Sequence, residues 1–128
     1  MIYLDSSVML GQIFAEDRSL PEAVAEGALI SSRLLEYETW NRIHARGFTK
    51  SRAEEVEALF AHITLIDLTP KVLGRALRPF PISVRALDGL HLATIEFLRA
   101  GGEDIELPSY DRKLVTCARA LGVAIYAL

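Results

Sequence analysis

Short apolar runs alternate with longer stretches of helical periodicity along the chain. That alternation predicts an α/β fold, with a mostly parallel sheet of about five strands flanked by helices. Ile2-Tyr3-Leu4, Ala28-Leu29-Ile30, Thr64-Leu65-Ile66-Asp67, Ile105-Glu106-Leu107 and the run from Val123 to Ala127 read as strands. Helices are expected from about Ser7 to Ala15, Ser32 to Arg46, Ser51 to His62, Thr69 to Leu77, Ser83 to Ala100 and Asp111 to Leu121. Ser51-Arg52-Ala53-Glu54 has the form of a capping box, Thr69 stands as a cap before an N1 proline, and Ser83 is placed to cap the helix after it. Gly47 and Gly122 are stop signals, and Gly101-Gly102 closes the longest helix. The acidic stretch 16–26, which contains a proline, reads as a connector or a short helix. No repeat or low-complexity segment divides the chain, so residues 1–128 are expected to form one domain.

Composition narrows the possibilities. Hydrophobic residues make up 51% of the 128 residues against 24% charged, enough for a packed core and against extended disorder. No apolar run approaches the length of a membrane span, and the opening Met1-Ile2-Tyr3-Leu4-Asp5 lacks the basic-then-apolar form of a signal peptide. The single cysteine, Cys117, rules out an internal disulfide and a Cys-rich zinc site and reads as a small core residue, so a reducing cytoplasm is the expected location. The net charge is −3, from 14 basic and 17 acidic residues. Its distribution matters more than its sum: segments 39–53 and 71–87 each carry four basic residues and no acid.

The isolated acids carry the candidate chemistry. Asp5 directly follows the first strand and Asp111 closely follows the fourth, where sites of open parallel sheets lie. Both positions also suit a helix N-cap, which alone explains an aspartate there. Asp88 stands one turn into an apolar helix, where a buried carboxylate needs a cation or hydrogen bonds. Beside it, Gly89 is tolerable in a helix if something approaches the backbone closely. Glu36 and Glu38 share a helix but lie about 200° apart around it, so only one of them can face a given site, and spacing does not choose between them.

Taken together, four segments resemble the motifs of the PIN domain. These are Ile2-Tyr3-Leu4-Asp5-Ser6-Ser7, the run from Ser31 to Glu38, the run from Arg85 through Asp88 and His91 to Thr94, and Ser109-Tyr110-Asp111-Arg112-Lys113-Leu114. The order and spacing are most similar to the VapC-type toxins of toxin–antitoxin pairs, over essentially the whole chain. The second motif carries two glutamates, and its register puts the weight on Glu38. In the fourth, Ser109 replaces a commoner threonine and keeps the hydroxyl.

The resemblance implies a metal-dependent endoribonuclease that cuts RNA by water attack on a phosphodiester. Asp5, Glu38, Asp88 and Asp111 are then the catalytic acids. Asp5, Asp88 and Asp111 are the metal ligands, and Ser7 and Ser109 support the carboxylates by hydrogen bonds. Clustered carboxylates repel one another unless cations intervene, and hard oxygen ligands suit Mg²⁺ or Mn²⁺. With the four acids set aside, the rest of the chain is close to neutral. Arg42 with Arg46, Lys71 with Arg75 and Arg78, and Arg112 are expected to contact RNA phosphates, or else to be ordinary solvated helix faces. His91, three residues after Asp88, either orients that carboxylate or packs in the core. The resemblance further implies a cognate antitoxin, sought first along 34–60, where Tyr37 and Trp40 lie, and a homodimer; no membrane is involved. A PIN-like module that binds RNA or regulates without turnover is the alternative. A receiver-like signalling domain would use Asp67 as phosphoacceptor, but it needs paired acids after the first strand, where this chain has Ser6-Ser7.

Overall fold

The computed structural model describes residues 1–14 and 20–128. Five short strands form one sheet: β1 (Ile2–Tyr3), β2 (Leu29–Ser32), β3 (Ile63–Ile66), β4 (Glu106–Pro108) and β5 (Ala124–Tyr126). The order across the sheet is β3-β2-β1-β4-β5, and every pairing is parallel. The chain therefore builds outward from β1 in one direction and then returns to its other side. The reversal falls between β1 and β4, and a reversal of this kind opens a crevice at the carboxyl ends of the strands.

Among the described residues seven helices accompany the strands: α1 (Ser6–Phe14), α2 (Glu22–Ala25), α3 (Leu34–Ala45), α4 (Ala53–Phe60), α5 (Pro70–Ala76), α6 (Ala86–Ala100) and α7 (Arg112–Ala120). Strand side chains alternate between the two faces. Ile2 and Leu4 pack with Val8, Met9, Ile13, Leu35, Ile43 and Val56 of α1, α3 and α4 on one side. Tyr3 and Ile30 pack with Leu92, Ile95, Leu114 and Cys117 of α6 and α7 on the other. Both faces of the sheet are thus covered, as a parallel sheet requires.

Several boundaries differ from the sequence reading for local reasons. β2 runs on through Ser31 and Ser32, which pair with Leu65 and Ile66 of β3; the Ser31 hydroxyl donates to the Leu4 carbonyl at 2.6 Å and Ser32 Oγ accepts from Leu34 N–H at 3.1 Å. The capping box at 51–54 is not formed: α4 starts at Ala53 without a side-chain cap, and Arg52 pairs with Glu55 at 2.8 Å instead. Ser83 does not cap α6 either; Arg85 occupies that position with extended backbone and no side-chain cap. Thr69 does cap α5, accepting from Val72 N–H at 3.3 Å. Gly47 and Gly122 take positive φ values of 75° and 80° after α3 and α7, which a residue with a Cβ adopts poorly. The expected helix end at Ala15 and the part of the acidic connector at 16–19 lie outside the described residues.

Candidate active site

Because α6 begins at Ala86, Asp88 sits at its third position, in the first turn rather than one turn in. There the unsatisfied N–H groups and the helix dipole favour a negative charge. The close approach that Gly89 permits is made by the Phe80 ring, which lies 3.3 Å from where a Cβ would stand.

Asp5 leaves β1 and enters α1 almost wholly covered, at 2% exposure. Its Oδ1 accepts from Val8 N–H at 3.1 Å, so the capping role is real. It is not the whole role. Ser7 Oγ lies 2.9 Å from both carboxylate oxygens, and Ser109 Oγ donates to Oδ2 from the turn after β4. Ser7 Oγ also accepts from Tyr110 N–H at 3.0 Å, and Ser109 Oγ from Asp111 N–H at 3.0 Å. These bonds tie the start of α1 to the start of α7 across the strand reversal. Burial pushes the Asp5 carboxyl above its ordinary value of 3.8, against the opposing pull of the Ser109, Val8 and Ser7 donors.

Asp111 divides its two oxygens between two tasks. Oδ1 caps α7, accepting from Lys113 N–H at 3.0 Å and Leu114 N–H at 3.2 Å. Oδ2 accepts from Arg85 Nη2 at 2.9 Å. The same guanidinium offers Nε to Asp88 Oδ2 at 3.3 Å. One cation thus bridges carboxylates from two elements. Burial, and then the neighbouring Asp111 charge, raise the Asp88 carboxyl; Arg85 opposes both.

Glu38 and Glu36 separate as the helix geometry demands. Glu36 points outward beside Arg33, at 3.8 Å. Glu38 faces the interior end of the cleft, and its Oε1 lies 2.5 Å from His91 Nε2. His91 is 1% exposed, and its other nitrogen meets the Tyr3 hydroxyl at 2.7 Å. Burial keeps the Tyr3 phenol protonated far above the usual range. In the neutral ring the tyrosine therefore donates to Nδ1, and Nε2–H donates to the carboxylate. This chain of three side chains links β1, α6 and α3 from one face of the sheet to the other.

The cleft itself has a volume of about 400 Å³ and is lined by Ser6, Tyr37, Glu38, Asn41, Arg42, Arg85 and Asp88, among others. Of the predicted RNA contacts, Arg42 faces this cleft. Arg112 lines a separate groove with Ser109 and Arg119, and Arg46 lies over the Phe14 ring, 4.6 Å from its centroid. The stripe of Lys71, Arg75 and Arg78 is not a free helix face. α5 ends at Ala76, before Arg78, and Arg75 is held by Glu96 and by the Phe80 ring at 4.2 Å. Asp67 does not suit a phosphoacceptor: it is exposed at the end of edge strand β3 and paired with Arg33 at 2.7 Å. Cys117 is fully buried, as expected. The sequence marked Arg85 as part of a basic segment and as the head of the third motif, but assigned it no role in the site. Its place three residues before Asp88, within reach on a helix, was the available signal.

Among the described residues, no group of three His, Cys, Asp or Glu side chains is drawn together tightly enough to ligate a metal as it stands. The donor chemistry nevertheless fits a hard divalent cation. Asp88 and Asp111 present oxygens to a common point, that point already attracts the Arg85 cation, and Mg²⁺ needs only one or two carboxylates. The Asp5 oxygens are occupied by hydroxyl and backbone donors, and Ser109 links Asp5 to the Asp111 backbone. No helix is long and apolar enough to cross a membrane among the described residues.

No protein-family model matches the sequence. The chain is similar to Ribonuclease VapC46 of Mycobacterium tuberculosis (strain ATCC 25618 / H37Rv), at 30% identity over 133 residues, covering 98% of this chain and 96% of that protein.

Proposed function

Since the chain belongs to the VapC-type PIN-domain ribonucleases, we propose that Asp5, Glu38, Asp88 and Asp111 are the acids with which it cuts RNA. The protein is the toxin endoribonuclease of a VapBC-type toxin–antitoxin system. The observation that carries the site assignment is the shared guanidinium: Asp88 and Asp111, far apart in sequence, converge on one cation at the strand reversal.

Asp88 and Asp111 would hold the metal, and Asp5 is tied to the Asp111 turn through Ser109. When bound, a divalent cation would supply Lewis-acid chemistry for water attack on the phosphodiester. The protein's own residues do the positioning. Ser7 and Ser109 fix the Asp5 carboxylate, the α7 backbone fixes Asp111, and His91 fixes Glu38 at the cleft wall. Glu38, held by His91 at the cleft wall, is the group that would accept a proton from the attacking water. Arg42 at the cleft and Arg112 in its separate groove are the arginines that would contact RNA phosphates.

The antitoxin is sought first along 34–60, where Tyr37 is 64% exposed. A homodimer belongs to the same reading and is checked by sedimentation. The decisive experiment incubates purified protein with RNA, with chelator, Mg²⁺ or Mn²⁺. Cleavage that needs the metal and disappears in Asp88→Asn supports the assignment. Metal-independent cleavage, or full activity in Asp88→Asn, overturns it. RNA binding without any cleavage points instead to a module that binds without turnover.

A further inference from the structure

Arg85 breaks a local rule. Helix N-caps favour Ser, Thr, Asp and Asn, and a cation at a helix N-terminus opposes the dipole. Yet Arg85 holds the N-cap of α6, makes no cap hydrogen bond, and turns its side chain back over the first turn. What it gains there is the pair of carboxylates, Asp88 Oδ2 at 3.3 Å and Asp111 Oδ2 at 2.9 Å.

The two sides of this bridge differ in exposure and anchoring. The Asp88 and Asp111 side chains are 13% and 19% exposed, and Asp111 is further anchored by its cap bonds to α7. The Arg85 side chain is 75% exposed, so it can swing into water without breaking a packed contact. A divalent cation brings twice the charge to the same two oxygens and matches carboxylates better than a guanidinium does. The freed guanidinium, still at the cleft wall beside Arg42, has the planar fork that suits a phosphate.

We propose that Arg85 is the resident counter-ion of the Asp88–Asp111 pair: it keeps the two carboxylates together without metal, yields its place to the divalent cation, and then grips the RNA phosphate. The proposal rests on the metal site described above and adds to it a switch in the occupant.

The test follows the arginine and the metal separately, in the full chain. In ¹⁵N-labelled protein, a Mg²⁺ titration should move the Arg85 Nε–H resonance, with the same midpoint that calorimetry gives for binding. Arg85→Gln should bind Mn²⁺ about three- to tenfold more tightly, the range expected for loss of two exposed ion pairs. Arg42→Gln, which removes a charge from the same cleft but from neither carboxylate, should tighten binding by about twofold or less. Affinity for an uncleavable 2′-O-methyl RNA, with metal present, should fall in Arg85→Gln. Metal binding with an unmoved Arg85 resonance, or equal affinity in Arg85→Gln and wild type, overturns the switch and leaves the metal site standing. Failure of both proteins to bind Mg²⁺ or Mn²⁺ overturns site and switch together. Arg85 is exposed, so the variant is expected to melt like wild type.

Discussion

Replacing Tyr3 by phenylalanine removes one oxygen from the interior and leaves the ring volume unchanged. That oxygen donates to His91 Nδ1, and both residues are buried. Without it the ring nitrogen has no other hydrogen-bond partner among the described residues. A buried polar group orphaned in this way costs about 1–3 kcal/mol, and no cavity adds to that cost. Measured against a domain stability on the order of 5–15 kcal/mol, the loss is visible. With a urea m-value of about 1–3 kcal/mol per molar, the unfolding midpoint should fall by roughly 1 M.

The second consequence falls on the reaction. His91 is fixed through both nitrogens, and Glu38 depends on it at 2.5 Å. Freeing Nδ1 lets the ring turn and the carboxylate lose its fixed donor. Supporting hydrogen bonds of this kind are worth about 10- to 100-fold in activity. Tyr3 touches no substrate, so kcat should drop while KM stays in place. Assayed well below its melting temperature, a folded Tyr3→Phe variant that cuts at the wild-type rate refutes the positioning role, and an unmoved midpoint refutes the energetic argument.

Asp111 allows its two tasks to be separated: Asp111→Asn keeps an N-cap and should melt within a few tenths of a kcal/mol of wild type, whereas Asp111→Ala should lose about 0.5–2 kcal/mol. Both should fail to cut RNA, and activity in the asparagine variant would mean that the cap is the only role. The raised Asp5 and Asp88 carboxyls give stability a definite pH sign. The folded state holds their protons more tightly than the unfolded chain, so their contribution is greatest below the ordinary carboxyl range and is lost as pH rises through the raised values. Without metal, the slope of melting temperature from about pH 4 toward neutrality should therefore be shallower in Asp88→Asn than in wild type; an identical slope contradicts the assignment. Thr39 Oγ1 is buried without a partner among the described residues, so Thr39→Val should raise stability by about 1 kcal/mol, and a fall in melting temperature would show the hydroxyl to be satisfied.

The parts of this molecule that were legible in its sequence are those decided locally. Short apolar runs placed all five strands, and Gly47 and Gly122 marked where α3 and α7 end. The boundaries that moved did so because a tertiary partner outweighed a local preference. Ser31 and Ser32 paired with Leu65 and Ile66 and lengthened β2, and Arg52 took Glu55 in place of a capping box. The site shows the same division. Asp5 and Asp111 were visible as acids at strand ends, but a capping aspartate and a site aspartate look alike in sequence. Here Asp111 is both, with one oxygen on the α7 backbone and the other on Arg85. Nor does spacing choose between Glu36 and Glu38; the buried His91 marks Glu38, and its hold on Glu38 spans 53 positions of chain. Arg85 was the hardest to see, because its meaning lies in a contact 26 residues away. A residue that fits its own helix poorly and a distant carboxylate well is placed by the second relation, and only the folded chain brings the two together.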